Sequence, residues 1–95
     1  MLSQMPFDLG RMKSGEVDKE VVRLAIIGEL DTINLYEQLA AMTGNELLKK
    51  VFLDVAGEEK THVGEFQTML LRLDEEQVKE LDAGRKEVEE MEEKP

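Results

Sequence analysis

Residues 55–66 read VAGEEKTHVGEF and contain the single histidine of the chain, His62, three positions after Glu59. Residues three apart lie on the same face of a helix, so this spacing directs one carboxylate and one imidazole the same way. Both belong to a stripe with the spacing 4-3-4-3-4-3-4, which is typical of a helix packed along a heptad seam. The stripe consists of Leu48, Phe52, Val55, Glu59, His62, Phe66, Met69 and Leu73. Glu59 and His62 therefore occupy positions where a packed helix normally carries apolar residues.

A matching stripe lies upstream and carries a third polar residue, Glu29. It consists of Val22, Ile26, Glu29, Ile33, Tyr36 and Ala40. The two stripes are separated at residues 43–45, where Gly44 suits a left-handed C-cap and Asn45 suits an N-cap. A loop this short makes the two helices antiparallel neighbours, and counting outward from its centre places Glu29 opposite residue 60. The sequence therefore predicts that Glu29, Glu59 and His62 lie within about one helical turn of each other.

The sequence as a whole predicts an all-α fold, with one domain over residues 1–95. The expected elements are an irregular arm at residues 1–13, two long helices at residues 16–42 and 46–72, and a short C-terminal helix at residues 75–91. The third helix follows Asp74-Glu75-Glu76-Gln77, which resembles a capping box, and carries a narrow apolar strip of Val78, Leu81 and Val88. We expect this helix to pack on a neighbouring subunit, and a solvated tail is the alternative.

Charge and composition exclude several classes of function. Twenty-two acidic against twelve basic residues give a net charge of -10, which repels nucleic acid and attracts cations. The chain has no cysteine, so a metal would be bound by oxygen and imidazole ligands, a set that suits iron, manganese or zinc. No apolar run is long enough to span a membrane. We therefore expect neither a nucleic-acid partner nor a membrane partner.

The predicted cluster has the composition of half a dinuclear metal site. Carboxylate-bridged two-metal sites in four-helix bundles use a glutamate from each of two helices and a Glu-x-x-His pair from each of the other two. This chain supplies one of each, through Glu29 and through Glu59 with His62. Two copies must therefore meet to complete the bundle and the site. Their four carboxylates would balance the charge of two divalent cations.

Each of these residues also has a purely structural interpretation. In a chain this acidic a Glu-x-x-His is not rare, and His62 can be a core histidine that pairs with Glu59 or donates to a backbone carbonyl. Glu29 can be a polar residue that sets the register of a coiled coil. Tyr36, two turns after Glu29, is either a core aromatic residue or a hydrogen-bond donor beside the metals.

Three glycines inside the predicted helices lie near the level of the cluster. Each costs about 1 kcal/mol relative to alanine in a helix interior, so we expect either close approach of two backbones or space kept for ligands. They are Gly28, Gly57 and Gly64.

From about Val22 to Leu73 the chain resembles the encapsulated ferritin family, a two-helix branch of the ferritin-like proteins. The matching motifs are Ile27-Gly28-Glu29-Leu30-Asp31, Tyr36-Glu37 and Glu58-Glu59-Lys60-Thr61-His62. The resemblance implies a ferroxidase whose di-iron centre, with two ions per dimer, is held by Glu29, Glu59 and His62 of two subunits, with Tyr36 beside the metals. It also implies ring-like decamers of five dimers that act in the cytoplasm, inside an encapsulin nanocompartment whose shell is a separate or a fused protein.

The chain departs from that family in two places. Some members carry further acids around the ligand glutamate as a surface cation site; here Gly28 precedes Glu29, and Asp31 remains as the candidate residue for cation access. Residues 88–95 also lack a short apolar, glycine-containing tail for targeting to a shell. Two other functions therefore stay open, namely a structural zinc or manganese module without oxidase activity and a helical interaction protein whose polar core residues only set the register.

Overall fold

The computed structural model describes residues 14–94, which form three α-helices. These are α1 (Ser14–Met42), α2 (Glu46–Leu73) and α3 (Glu75–Glu93). α1 and α2 pack along their lengths as an antiparallel hairpin, and α3 contacts the end of α2, so the all-α hairpin with a short third helix is confirmed. α1 starts two residues earlier than expected, α2 ends one residue later and α3 ends two residues later. The arm predicted at residues 1–13 lies outside the described residues.

The turn between α1 and α2 closes without a left-handed residue. Asn45 caps α2 as expected, since its side-chain oxygen accepts a hydrogen bond from the Leu48 N–H at 3.0 Å. Gly44, however, does not have a positive φ, so the predicted left-handed C-cap is wrong. The Thr43 N–H instead continues the helical pattern to the Leu39 carbonyl at 3.2 Å. The Thr43 hydroxyl then accepts from the Asn45 N–H at 3.1 Å and holds the turn.

The core of the hairpin is a narrow strip between the two helices. Its buried apolar residues, among residues 14–94, are Ile33, Ala40, Ala56 and Leu70. Ile33 and Ala40 of α1 belong to the predicted stripe. Ala56 and Leu70 of α2 instead follow the stripe residues Val55 and Met69 by one position each, so the buried face of α2 is rotated from the predicted one. Leu48 and Met69, predicted to be core residues, are 41% and 46% exposed. A single hairpin leaves both exposed because two helices alone can cover only the surface between them, and their burial in a bundle of two copies stays a prediction.

The helical glycines do not mark close contacts within the chain. A Cβ atom added at Gly28, Gly57 or Gly64 would meet no heavy atom within 4 Å. Close approach of the two helices within one hairpin therefore does not explain these glycines. Each glycine carbonyl instead accepts a hydrogen bond from a threonine hydroxyl four residues later, at 2.9, 3.4 and 2.9 Å. The pairs are Gly28 with Thr32, Gly57 with Thr61 and Gly64 with Thr68. The structure leaves open space beside each glycine.

Asp74 joins all three helices at the end of the hairpin opposite the loop. It is buried, and one carboxylate oxygen caps α3 by accepting from the Gln77 N–H at 3.1 Å. The other oxygen accepts from the Arg23 guanidinium of α1 at 2.9 Å. The direction in which α3 leaves the hairpin is therefore tied to α1 as well as to α2. No helix among residues 14–94 combines the length and hydrophobicity needed to cross a bilayer.

The charge on Asp74 should contribute to stability at neutral pH and lose that contribution in acid. The Gln77 N–H, followed by Arg23 and Lys19, holds the pKa of Asp74 below its ordinary value of 3.8. A carboxylate with a lowered folded-state pKa stabilises the protein above its unfolded-state pKa, and the stabilisation is lost as pH falls through the folded-state pKa. We expect Asp74→Asn, which keeps a capping side chain, to lower Tm at pH 7.

The difference in Tm between wild type and Asp74→Asn should itself depend on pH. Thermal unfolding followed by circular dichroism should show the Tm of wild type and Asp74→Asn converging once the pH drops below about 4. Asp54→Asn, a change at an exposed residue of α2, is the matched control and should show little difference at any pH. A gap for Asp74→Asn that stays constant down to pH 3 would contradict a role for the charge.

Candidate metal centre

Glu29 of α1 and Glu59 and His62 of α2 come together near the middle of the hairpin. One ligand atom from each side chain lies within 4.8 Å of the other two. The structure therefore brings together the three residues that the sequence places in one layer. Their role as metal ligands stays a prediction. For this group we use the name carboxylate–histidine cluster.

The geometry of the cluster centres on the Nδ1 atom of His62. This nitrogen lies 3.3 Å from Glu59 Oε2, one helical turn away on α2. It lies 3.6 Å from Glu29 Oε2, across the hairpin on α1. Two ligand atoms bound to one transition-metal ion at about 2.0–2.2 Å from it can be separated by at most about 4.4 Å. Both separations from His62 Nδ1 are already within this limit, and the 4.8 Å bound on all three ligand atoms exceeds it only slightly.

Burial of the cluster favours a positive charge at its centre. The Glu29 and Glu59 side chains are 21% and 19% exposed. Glu29 Oε2 is itself buried and has no hydrogen-bond partner among residues 14–94. A buried carboxylate oxygen without a partner is costly, and a metal cation is one of the few groups that would compensate it. The donor set and this unpartnered oxygen fit a divalent metal ion.

The cluster is open on one side. The His62 side chain is 44% exposed, so its imidazole lies at the surface of the hairpin. A single chain offers three candidate ligands, which is half of the four glutamates and two histidines that build a dinuclear site in a four-helix bundle. A second copy approaching this surface would supply the other half.

Tyr36 and Asp31 lie outside the cluster. The Tyr36 ring packs against Phe52 with its centroid at 6.0 Å and the ring planes at 33°, so its visible role is that of a core aromatic residue. Asp31 follows Glu29 by two positions, which is about 200° around the helix, and therefore points away from the cluster face. Neither the proposed donor role of Tyr36 nor cation access through Asp31 is tested by this geometry, and both stay predictions.

One ion pair beside the cluster was not anticipated from the sequence. Lys60 Nζ lies 2.9 Å from Glu37 Oε2 and bridges α2 to α1. Both side chains are largely exposed, so the pair contributes little to stability. His62 follows Lys60 by two residues, about 200° around α2, and the bridge therefore closes the hairpin on the side away from the imidazole. Helical periodicity gives no signal for such a pair, because it depends on side-chain reach and exact register.

Comparison with known proteins places the chain among ferritin-like proteins. The family model described as Rubrerythrin matches residues 20–95. The crystal structure of the encapsulated ferritin domain from Pyrococcus furiosus is 53% identical and superposes with a TM-score of 0.81, covering 95% of this chain and 94% of that one.

Longer relatives carry names related to encapsulins. A ferritin-like-encapsulin shell fusion protein from Pyrococcus furiosus is 54% identical over 93 residues, which cover 96% of this chain and 27% of that protein. The encapsulin nanocompartment cargo protein EncB from Myxococcus xanthus is 43% identical over 53 residues, 56% of this chain and 34% of that protein. The chain thus spans between about a quarter and a third of the length of these two relatives. On the match over residues 20–95 and the shared structure, the chain belongs to the Rubrerythrin family of ferritin-like proteins, as a relative of the encapsulated ferritin domains.

Proposed function

We propose that two copies of this chain form a dinuclear centre that oxidises Fe(II), with Glu29, Glu59 and His62 of each copy as ligands. The observation that carries the proposal is the convergence of these three side chains around a buried glutamate oxygen with no hydrogen-bond partner among residues 14–94. Membership of a ferritin-like family supports iron as the metal. The dimer supplies what one hairpin lacks, because a single copy brings half the ligands.

The surface around His62 supports pairing of two hairpins there. Met69 follows His62 by seven residues, and Val51 and Leu48 precede it by eleven and fourteen, so all three share its face of α2. Their side chains are 41–49% exposed. Exposed apolar residues grouped on one face typically mark a protein interface. Burying this face against a second copy would cover these residues and bring two clusters together.

The proposed reaction is the transfer of electrons from the substrate, Fe(II), to dioxygen. Two Fe(II) ions each lose one electron, and the two electrons with two protons convert one dioxygen molecule to hydrogen peroxide. Four glutamates supply four negative charges, which offset the four positive charges of two Fe(II) ions and favour the higher charge of the Fe(III) products. The protein contributes the proposed ligands and their spacing.

An encapsulin shell is the partner we propose for storage. The relatives are named as an encapsulin shell fusion and as encapsulin cargo. Two helices per chain do not enclose a space for mineral, so oxidised iron would pass into a compartment formed by another protein or domain. We therefore propose that the dimers act in a cytoplasmic nanocompartment, grouped as the decamer that the family resemblance implies.

Aerobic addition of Fe(II) tests the proposed reaction. Rapid growth of the ultraviolet absorbance of Fe(III), faster than in buffer without protein, is the expected result. Stable, colourless binding of Fe(II) would contradict oxidase activity and favour the alternative of a structural zinc or manganese module, since the same ligands suit those metals.

Metal binding should weaken on acidification. Bound metal requires a neutral imidazole and ionised carboxylates, so protons compete with the metal for each ligand. We expect the apparent affinity for Fe(II), measured anaerobically by titration calorimetry, to fall as the pH is lowered from 7.5 to 5.5. An affinity that does not change over this range would count against His62 as a ligand.

A further inference from the structure

Met69 lies on the same face of α2 as the carboxylate–histidine cluster. It follows His62 by seven residues, which places it about 10 Å along the helix axis and within about 20° around it. Side chains on a helix lean toward its N-terminus, so the thioether of Met69 leans back toward His62. Its side chain is 46% exposed. An oxidant formed at the cluster therefore has a short path to this sulfur atom.

The other two methionines among residues 14–94 are more exposed and lie away from the cluster. Met42 ends α1, 13 residues and about 20 Å along the axis from Glu29, and is 80% exposed. Met91 is 68% exposed and lies near the end of α3, a helix that carries no residue of the cluster. An oxidant in bulk solution would therefore reach Met42 and Met91 more readily than Met69.

The chain offers hydrogen peroxide few side chains that it readily oxidises. It has neither cysteine nor tryptophan, and peroxide converts the thioether of methionine to a sulfoxide. The sulfur lone pair attacks one peroxide oxygen, an S–O bond forms and the O–O bond breaks. The second oxygen leaves as water with both hydrogen atoms of the peroxide. Sulfur loses two electrons and peroxide gains them, so the step needs no further reactant.

We infer that Met69 is the first methionine of residues 14–94 to be oxidised during Fe(II) turnover, by peroxide formed at the cluster. The inference rests on the proposed function, because the proposed reaction is the source of the peroxide. It adds a modification site to that function. Proximity to the cluster, and not exposure to solvent, decides which methionine reacts.

Oxidation of Met69 would act back on the proposed centre. Met69 shares the His62 face with Leu48 and Val51, the face that meets a second copy in the proposed dimer. A sulfoxide is polar and disrupts interfaces that contain methionine. Each oxidation therefore weakens the pairing that completes the centre, and the activity limits itself as iron is oxidised.

Peptide mapping by mass spectrometry, after aerobic addition of Fe(II) to the full chain, tests the site of oxidation. A mass increase of one oxygen atom should accumulate several-fold faster at Met69 than at Met42 or Met91, also when catalase removes peroxide from bulk solution. Hydrogen peroxide added to the metal-free chain should give the reverse order. Faster oxidation of Met42 or Met91 during turnover, loss of the preference with catalase, or the same order in both experiments would overturn the inference.

Two variants separate this inference from the proposed reaction. Glu59→Ala should lose the preference for Met69 together with rapid Fe(II) oxidation, whereas Glu58→Ala should keep both. A preference for Met69 that persists in Glu59→Ala would overturn the cluster as the source of the oxidant. Wild-type protein that oxidises no Fe(II) would overturn the proposed function and this inference with it. Rapid Fe(II) oxidation without a preference for Met69 would overturn this inference alone.

The variant Met69→Leu tests the effect on activity, because it keeps an apolar side chain that peroxide does not oxidise. Fe(II) is added repeatedly, and each rate is divided by the rate of the same protein at its first addition. Wild type should lose activity several-fold faster than Met69→Leu. The control Met42→Leu, which removes a thioether away from the cluster, should lose activity as wild type does. Equal loss in wild type and Met69→Leu would contradict self-limitation through Met69.

Discussion

Replacing Glu59 with alanine should lower the initial rate of Fe(II) oxidation by roughly 100-fold or more, because in the proposed centre the change removes a ligand and not only its support. Glu59 Oε2 is the carboxylate oxygen nearest to His62 Nδ1, at 3.3 Å. In the proposed dimer, its loss would remove two of the four carboxylates from the shared centre and leave the charge of two Fe(II) ions unbalanced. The rate is measured from the absorbance of Fe(III) after aerobic mixing.

Glu58→Ala is the matched control for this result. Glu58 is adjacent in sequence, carries the same charge and is exposed, but it does not belong to the carboxylate–histidine cluster. Its variant should oxidise Fe(II) at close to the wild-type rate. Equal loss of activity in both variants would mean that acidic charge in general, and not the cluster, accounts for the reaction.

Replacing Ile33 with alanine should destabilise the chain by about 2–4 kcal/mol, the usual cost of removing a buried aliphatic side chain. Ile33 is 8% exposed and is one of four buried apolar residues among residues 14–94. It also lies one turn from Glu29, so a cavity here would loosen the helix that carries this proposed ligand. We expect a lower midpoint of chemical unfolding and a slower Fe(II) oxidation in the same variant.

Leu30→Ala provides the comparison at an exposed position of the same helix. Leu30 is 50% exposed, and substitutions at such surface positions usually change stability by within about 0.5 kcal/mol. Denaturant titrations of wild type and both variants, at the same protein concentration, measure the difference. If Ile33→Ala unfolds at the same denaturant concentration as Leu30→Ala, the core described here is wrong.

The hairpin and the layer of its polar residues were predictable from periodicity alone. Two stripes with 4-3 spacing and a three-residue break determine which helices pair and at what height, and this is why Glu29 lies 3.6 Å from His62 across the hairpin. The 4-3 spacing does not reveal whether an apolar residue is covered by the other helix of its own chain or by a second copy. Leu48 and Met69 share the spacing of core residues, yet a single chain leaves both exposed, because periodicity describes a face and not its partner.

The contacts that the sequence did not predict depend on side-chain conformation. Arg23 reaches Asp74, and Lys60 reaches Glu37, each at 2.9 Å, through long flexible side chains whose partners are set by rotamer and register. Asp74 was expected as a cap, and its second oxygen proved to bind α1 as well. The Gly44 cap failed for a related reason, since the Thr43 hydroxyl offered the turn another hydrogen bond and made a left-handed residue unnecessary.

A crystal of the iron-loaded protein, with anomalous diffraction recorded at the iron absorption edge, would show where the metal binds. We expect two iron positions a few ångströms apart beside a two-fold axis, each bound by Glu29, Glu59 and His62 side chains from two copies. Iron bound by one chain alone, or at acids away from these three residues, would contradict it.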